Sequence, residues 1–172
     1  MKVLISISLL VLSLAFVSCD KRGESKLIDV KIDKRIFDTA NLLSDEQEDS
    51  IFQLINDLEN EIGPQIAIVT IDSLDGQNLN TFSFRTSSKL KLGRADFDDG
   101  ILITVVVKSR EMRIEVGVGL EKIIKDEIAS RINRNEMAPS FRENDYAGGL
   151  IKGIQKIKKL IEENRELVGQ RP

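Results

Sequence analysis

Histidine is absent from this 172-residue chain, and cysteine occurs once. The first absence removes the commonest general base, the commonest zinc ligand and every Ser-His-Asp arrangement. The second excludes an intramolecular disulfide. Any metal site must therefore be built from oxygen, which favours calcium or magnesium and leaves zinc little to gain. An excess of positive charge is lacking too: 25 Lys and Arg stand against 28 Asp and Glu, for a net charge of −3. No broad positive field is available to hold a phosphate backbone, so no nucleic acid is expected as a partner. The rest is ordinary for a soluble globular domain, with 41% hydrophobic and 31% charged residues.

The one long apolar run is at the N-terminus. Met1-Lys2 is followed by Val3 to Val17, interrupted only by serines, and the run ends at Ser18-Cys19. It is short for a bilayer span and has a small residue before the cysteine, as in an export signal. Phe16-Val17-Ser18-Cys19 resembles the lipobox of bacterial lipoproteins, although Phe16 stands where an aliphatic residue is usual. The resemblance implies cleavage before Cys19 and acylation of its sulfur; the alternative is an ordinary secretory signal with a chance cysteine. The chain then divides into a signal peptide (1–18), a polar tether from Cys19 (19–28), one domain (29–162) and a polar tail (163–172) expected to fray. An acylated Cys19 would place the domain outside the cytoplasm, periplasmic or at the cell surface, on a membrane it does not span.

Ser44-Asp45-Glu46-Gln47 is a capping box, and Ile51, Leu54, Ile55, Leu58 and Ile62 come after it at helical spacing up to Gly63-Pro64. Gln65 to Ile71 predicts a strand covered on both faces, and Leu79 to Leu90 a second helix. Ile101–Val107 and Met112–Val118 predict a hairpin around Lys108-Ser109-Arg110-Glu111. Ile124, Ile128 and Ile132 mark a third helix. Asn144-Asp145 caps a fourth, with Tyr146, Leu150, Ile154, Ile157 and Ile161 along one stripe. The fold class is α/β, a small mixed β-sheet sandwiched between helices, large enough to fold as a monomer without metal.

A tight hairpin brings the residues before its first strand beside the residues after its second. Asp96, Asp98, Asp99 and Gly100 should therefore meet Gly117, Gly119 and Glu121, with Asp126 about one helical turn further on. Crowded carboxylates repel unless neutralised. The cluster is either a hard-cation site or a solvated acidic rim of turn-forming residues. Arg94 and Arg113 are the cations near enough to clamp an anion, and both read equally as surface charges.

An ordered set of motifs is similar to the TPM domain family. It comprises Asp38-Thr39-Ala40-Asn41-Leu42-Leu43-Ser44, Gln65 to Thr70, Leu92-Gly93-Arg94, Asp98-Asp99-Gly100, Arg113 to Glu121, Met137 to Arg142 and Asp145 to Leu150. Lys91 replaces a usual Trp, and Val118 a common aromatic. The resemblance implies an α/β sandwich in extracytoplasmic or lumenal proteins, with calcium or magnesium bound in some members and acid-phosphatase activity associated with plant relatives. It carries Asp98, Asp99 and Glu121 over as metal ligands, with Asp38 and Asp126 as further candidates; Asp38 reads equally as a turn or cap residue. Pro139, Phe141, Tyr146 and Gly149 read as packing and turn positions.

Two functions stand as expectations. One is a lipid-anchored binding or assembly module for a membrane protein complex, which needs only the anchor and a cation-ordered loop. The alternative is a metal-dependent phosphatase acting on phosphate monoesters, with Asp98 or Asp99 as the catalytic carboxylate.

Overall fold

The computed structural model describes residues 35–172. The signal peptide, Cys19 and the tether lie outside the described residues. Four strands, β1 (Ile36–Asp38), β2 (Gln65–Ile71), β3 (Gly100–Val106) and β4 (Glu111–Val116), form one sheet in the order β1-β2-β3-β4. The first three are parallel, and β4 returns antiparallel to β3 with Ile101 opposite Val116 and Val106 opposite Glu111. This is the mixed sheet expected, with β1 added. Three residues are too few to show a period of two, so β1 leaves no mark on the sequence.

Helix α1 (Asp45–Glu61) starts as its capping box dictates. Ser44 Oγ accepts from Gln47 N at 3.3 Å, and Gln47 Oε1 accepts from Ser44 N at 2.9 Å. Ile51, Ile55 and Leu58 of its stripe are fully buried. Helix α2 (Leu79–Leu90) is capped by Asn78 and ends at Lys91, which takes a left-handed conformation. Strand alternation sorts the core into two layers. Ile66, Ile68, Ile101, Ile103 and Ile114 face α1 and the C-terminal helices, whereas Ala67, Val69, Leu102 and Val106 face Phe82 and Leu90 of α2. Both crossovers step the same way across the sheet, yet α1 covers one face and α2 the other. Their hands are therefore opposite, and one departs from the right-handed rule.

The third helix continues further than its apolar spacing predicts. Helix α3 (Asp126–Ile132) passes through a wide π turn at Asn133–Met137 into α4 (Ala138–Arg142). Pro139 has no N–H to donate, and the ladder slips by one residue just before it, with Ala138 N donating to Asn133 O. Helix α5 (Tyr146–Glu163) is capped by Asp145, and its Leu150, Ile154, Ile157 and Ile161 are fully buried. Phe141 packs on Tyr146 with ring centroids 5.1 Å apart. No helix among the described residues is long and apolar enough to cross a membrane.

The tail does not fray as its polarity suggested. Leu167 and Val168 pack against the core, and Gly169 N donates to Gly119 O at 2.9 Å. Two apolar residues within the polar segment supply the burial that holds it.

Candidate functional site

The hairpin does bring residues 98–100 beside residues 117–119. Gly117 N donates to Gly100 O at 2.8 Å, and Gly119 N donates to Asp98 O at 3.0 Å. The approach is too close for side chains. A Cβ on Gly117 would lie 2.1 Å from Asp98 O, and one on Gly119 would lie 1.7 Å from Phe97 O. The glycines therefore seal backbone to backbone. The Asp98 carbonyl, which a cation would need, already accepts from an amide.

Asp99 is fully buried at the entry to β3. Its Oδ1 accepts from the backbone N–H of Arg94 at 2.8 Å, and its Oδ2 from Arg94 Nε at 2.8 Å and Nη2 at 2.5 Å. A buried carboxylate is tolerable when so paired and costly when not. The Arg94 guanidinium also lies 3.9 Å from the centre of the Phe97 ring, which steadies it by a cation–π contact. Asp98 adopts a left-handed backbone, and its half-exposed side chain pairs with Arg171 of the tail. Glu121 is exposed just after the 3-10 turn at Val118–Leu120, with no side-chain partner among the described residues.

The other candidates are elsewhere. Asp38 lies at the C-terminal end of β1, opposite Thr70, whereas Asp99 precedes the N-terminal end of β3. The two are separated along the sheet by about five residues of strand, roughly 17 Å. Asp38 instead takes the turn role: Oδ2 accepts from Leu43 N at 2.9 Å, and Oδ1 accepts from the Thr70 hydroxyl. Asp126 is exposed in the first turn of α3, where a carboxylate complements the helix dipole. Arg113 is held by Glu115 at 2.6 Å and has no other side-chain partner among the described residues. Among the described residues, no three Asp or Glu side chains converge as a metal shell requires. With Asp99 given to Arg94 and Asp98 to Arg171, the side chains as placed do not fit a divalent cation.

A polar network behind this corner had no signal in the sequence. Gln65, at the start of β2, accepts from Gly93 N at 3.0 Å and donates to Glu59 at 2.7 Å, while Glu59 pairs with Arg35 at 2.9 Å. It ties α1, β2 and the Leu92-Gly93-Arg94 turn together, so the loop carrying Arg94 is fixed from two sides.

The chain is similar to known proteins along most of its length. The TPM domain model matches residues 36–160. A comparison with curated proteins found no match. Among solved structures, the N-terminal domain of a protein from P. gingivalis is 29% identical, with a TM-score of 0.70 over 76% of this chain and 83% of that one. The BA42 protein of the psychrophilic bacterium Bizionia argentinensis is 21% identical, with a TM-score of 0.62 over 70% and 82% of the two chains. The N-terminal domain of a Corynebacterium glutamicum protein, 14% identical, has a TM-score of 0.60 over 81% and 84%. The last two speak to the fold alone. With the α/β/α order, the glycine-sealed hairpin and the match from β1 nearly to the end of α5, the chain belongs to the TPM domain family.

Proposed function

We propose that this protein is a membrane-tethered binding module that assists the assembly or turnover of a membrane protein complex, rather than a hydrolase. One observation carries the choice: the buried carboxylate of Asp99 accepts from three donors of Arg94. A nucleophile or metal ligand needs free lone pairs aimed at solvent or substrate, whereas three of the roughly four acceptor positions of this fully buried carboxylate are taken by Arg94. Asp98 is half exposed and paired, Glu121 stands apart, and there is no histidine to move a proton. The proposed module works without a resident cation, because Arg94 and Arg171 neutralise the acidic corner. The anchor rests on the apolar leader and Cys19 alone.

Turnover of para-nitrophenyl phosphate, with and without calcium or magnesium, tests the choice. The expected rate is no higher than that of Asp98→Asn; saturable turnover that disappears in this variant would overturn it. The anchor is tested by palmitate labelling in cells, where label should enter the wild type and not Cys19→Ser. Equal labelling of the two would remove the tether from the proposal.

A further inference from the structure

At the opposite end of the sheet from the acidic corner, the β3–β4 turn and the α4–α5 junction enclose a cleft of about 690 Å3. Small-ligand sites occupy this size range, about 300–1,000 Å3. Lys108 and Arg110 reach it from the turn and Arg142 from the end of α4, while Phe141 and Tyr146 form an apolar wall. None of the three cations has a hydrogen-bonded or ionic side-chain partner among the described residues. Glu111 is the one carboxylate in the lining. A second hollow of about 270 Å3 shares Met112 and Ala138 as walls and adds Arg134 and Asn133. The Oδ1 of Asn133, in the π turn, is buried without a donor. Lys108, Arg110 and Arg142 thus border the larger cleft against one carboxylate, and Arg134 lines the neighbouring hollow. Like charges gathered so repel one another unless an anion joins them.

We propose that this cleft binds a small-molecule oxyanion, a phosphate or carboxylate group carrying a short apolar portion. Arg110 and Arg142 have the planar fork that matches such a group, and Lys108 adds a point charge. The apolar portion would lie on Phe141 and Tyr146. The site also lies beyond the carboxyl ends of the parallel strands, where open α/β sheets commonly bind ligands. It is separate from the acidic corner and depends on neither the anchor nor the membrane partner.

The chain carries its own reporter, because Tyr146 is its single tyrosine and there is no tryptophan. Tyrosine emission of the full-length chain in non-ionic detergent is followed while monobutyl phosphate or butyrate is added, with chloride at equal ionic strength as control. A saturable change with at least one of them is expected, and the one that saturates at lower concentration identifies the oxyanion. Arg142→Gln should weaken that binding about tenfold, as loss of a charge-assisted hydrogen bond does. Lys108→Gln, on an exposed turn, is the second variant should the first fold poorly, and circular dichroism establishes folding of both. A change that never saturates, that chloride reproduces, or that the folded variants retain at wild-type affinity would overturn the proposal.

Discussion

Replacing Arg94 by Met should be among the most damaging single changes outside the apolar core. It removes two of the three donors to Asp99, the Nε and Nη2 bonds, and leaves only the backbone N–H of residue 94. The carboxylate stays buried, since its own side chain is 0% exposed while that of Arg94 is 36% exposed. Stranding one partner of a buried pair costs about 3–5 kcal/mol. Partial exposure of Arg94 lets water approach, so the lower end, near 3 kcal/mol, is the expected loss. For a domain of this size that is a fall in melting temperature of roughly 10 °C. Far-UV circular dichroism is the assay, because a chain without tryptophan gives weak emission for unfolding. Adding Asp99→Asn to Arg94→Met should recover part of the loss, because the stranded charge is gone and the amide oxygen can still accept from residue 94. A cost below about 1 kcal/mol for Arg94→Met would mean that the pair behaves like a surface ion pair, and the reasoning about the acidic corner would fail.

Four further outcomes are expected. Gly119→Ala should prevent the hairpin exit from closing on Phe97 O, and proton NMR of the variant should show loss of the native dispersion; a native spectrum would refute the contact. Ser44→Ala should cost about 0.5–2 kcal/mol by chemical denaturation, as loss of an N-cap does. The Ser44 hydroxyl also holds the Glu46 carboxyl below its usual range. A lowered native value favours the folded state above the ordinary carboxylate range, and that advantage is lost as pH falls through the native value. Titration of Glu46 by NMR should therefore move upward in Ser44→Ala, and an unchanged midpoint would refute the assignment. Finally, EDTA should leave the melting temperature of the full chain unchanged, and a saturable rise with micromolar calcium would show that Asp98 and Glu121 bind a cation despite Arg171.

Local signals carried much of this fold. The capping box at Ser44, the isoleucine stripe of α5 and the alternation of β4 each lie within one element, so a window of sequence contains the whole cause. The meeting of Asp98 with Gly119 was also legible, because a hairpin fixes its own ends. Failures arose where the partner is distant in sequence. Asp38 turns away from the acidic corner because its strand pairs with β2 at Thr70, 32 residues on. Arg94 read as either an anion clamp or a surface charge, and it is instead held on Asp99; the opposite charges were visible, the burial that makes them inseparable was not. Lys108 and Arg110 read as turn residues, since only the packing of α4 and α5 brings Arg142 to the same cleft.

The docked tail has a consequence for how the domain can be built into other proteins. The chain enters β1 at Arg35, whose carbonyl accepts from Ile68 N, and finishes with Arg171 on Asp98. Along β2 and across the strands of the sheet, these points are roughly 15–20 Å apart. About six to eight residues would bridge them. Joining Arg35 to Arg171 without residues 1–34, and opening the chain at Asp75-Gly76, an exposed loop where Gly76 has nothing within 4 Å of an added Cβ, should give a circular permutant that keeps every strand pairing. The same geometry lets the domain be spliced into a surface loop of a host when short linkers flank it to span that separation.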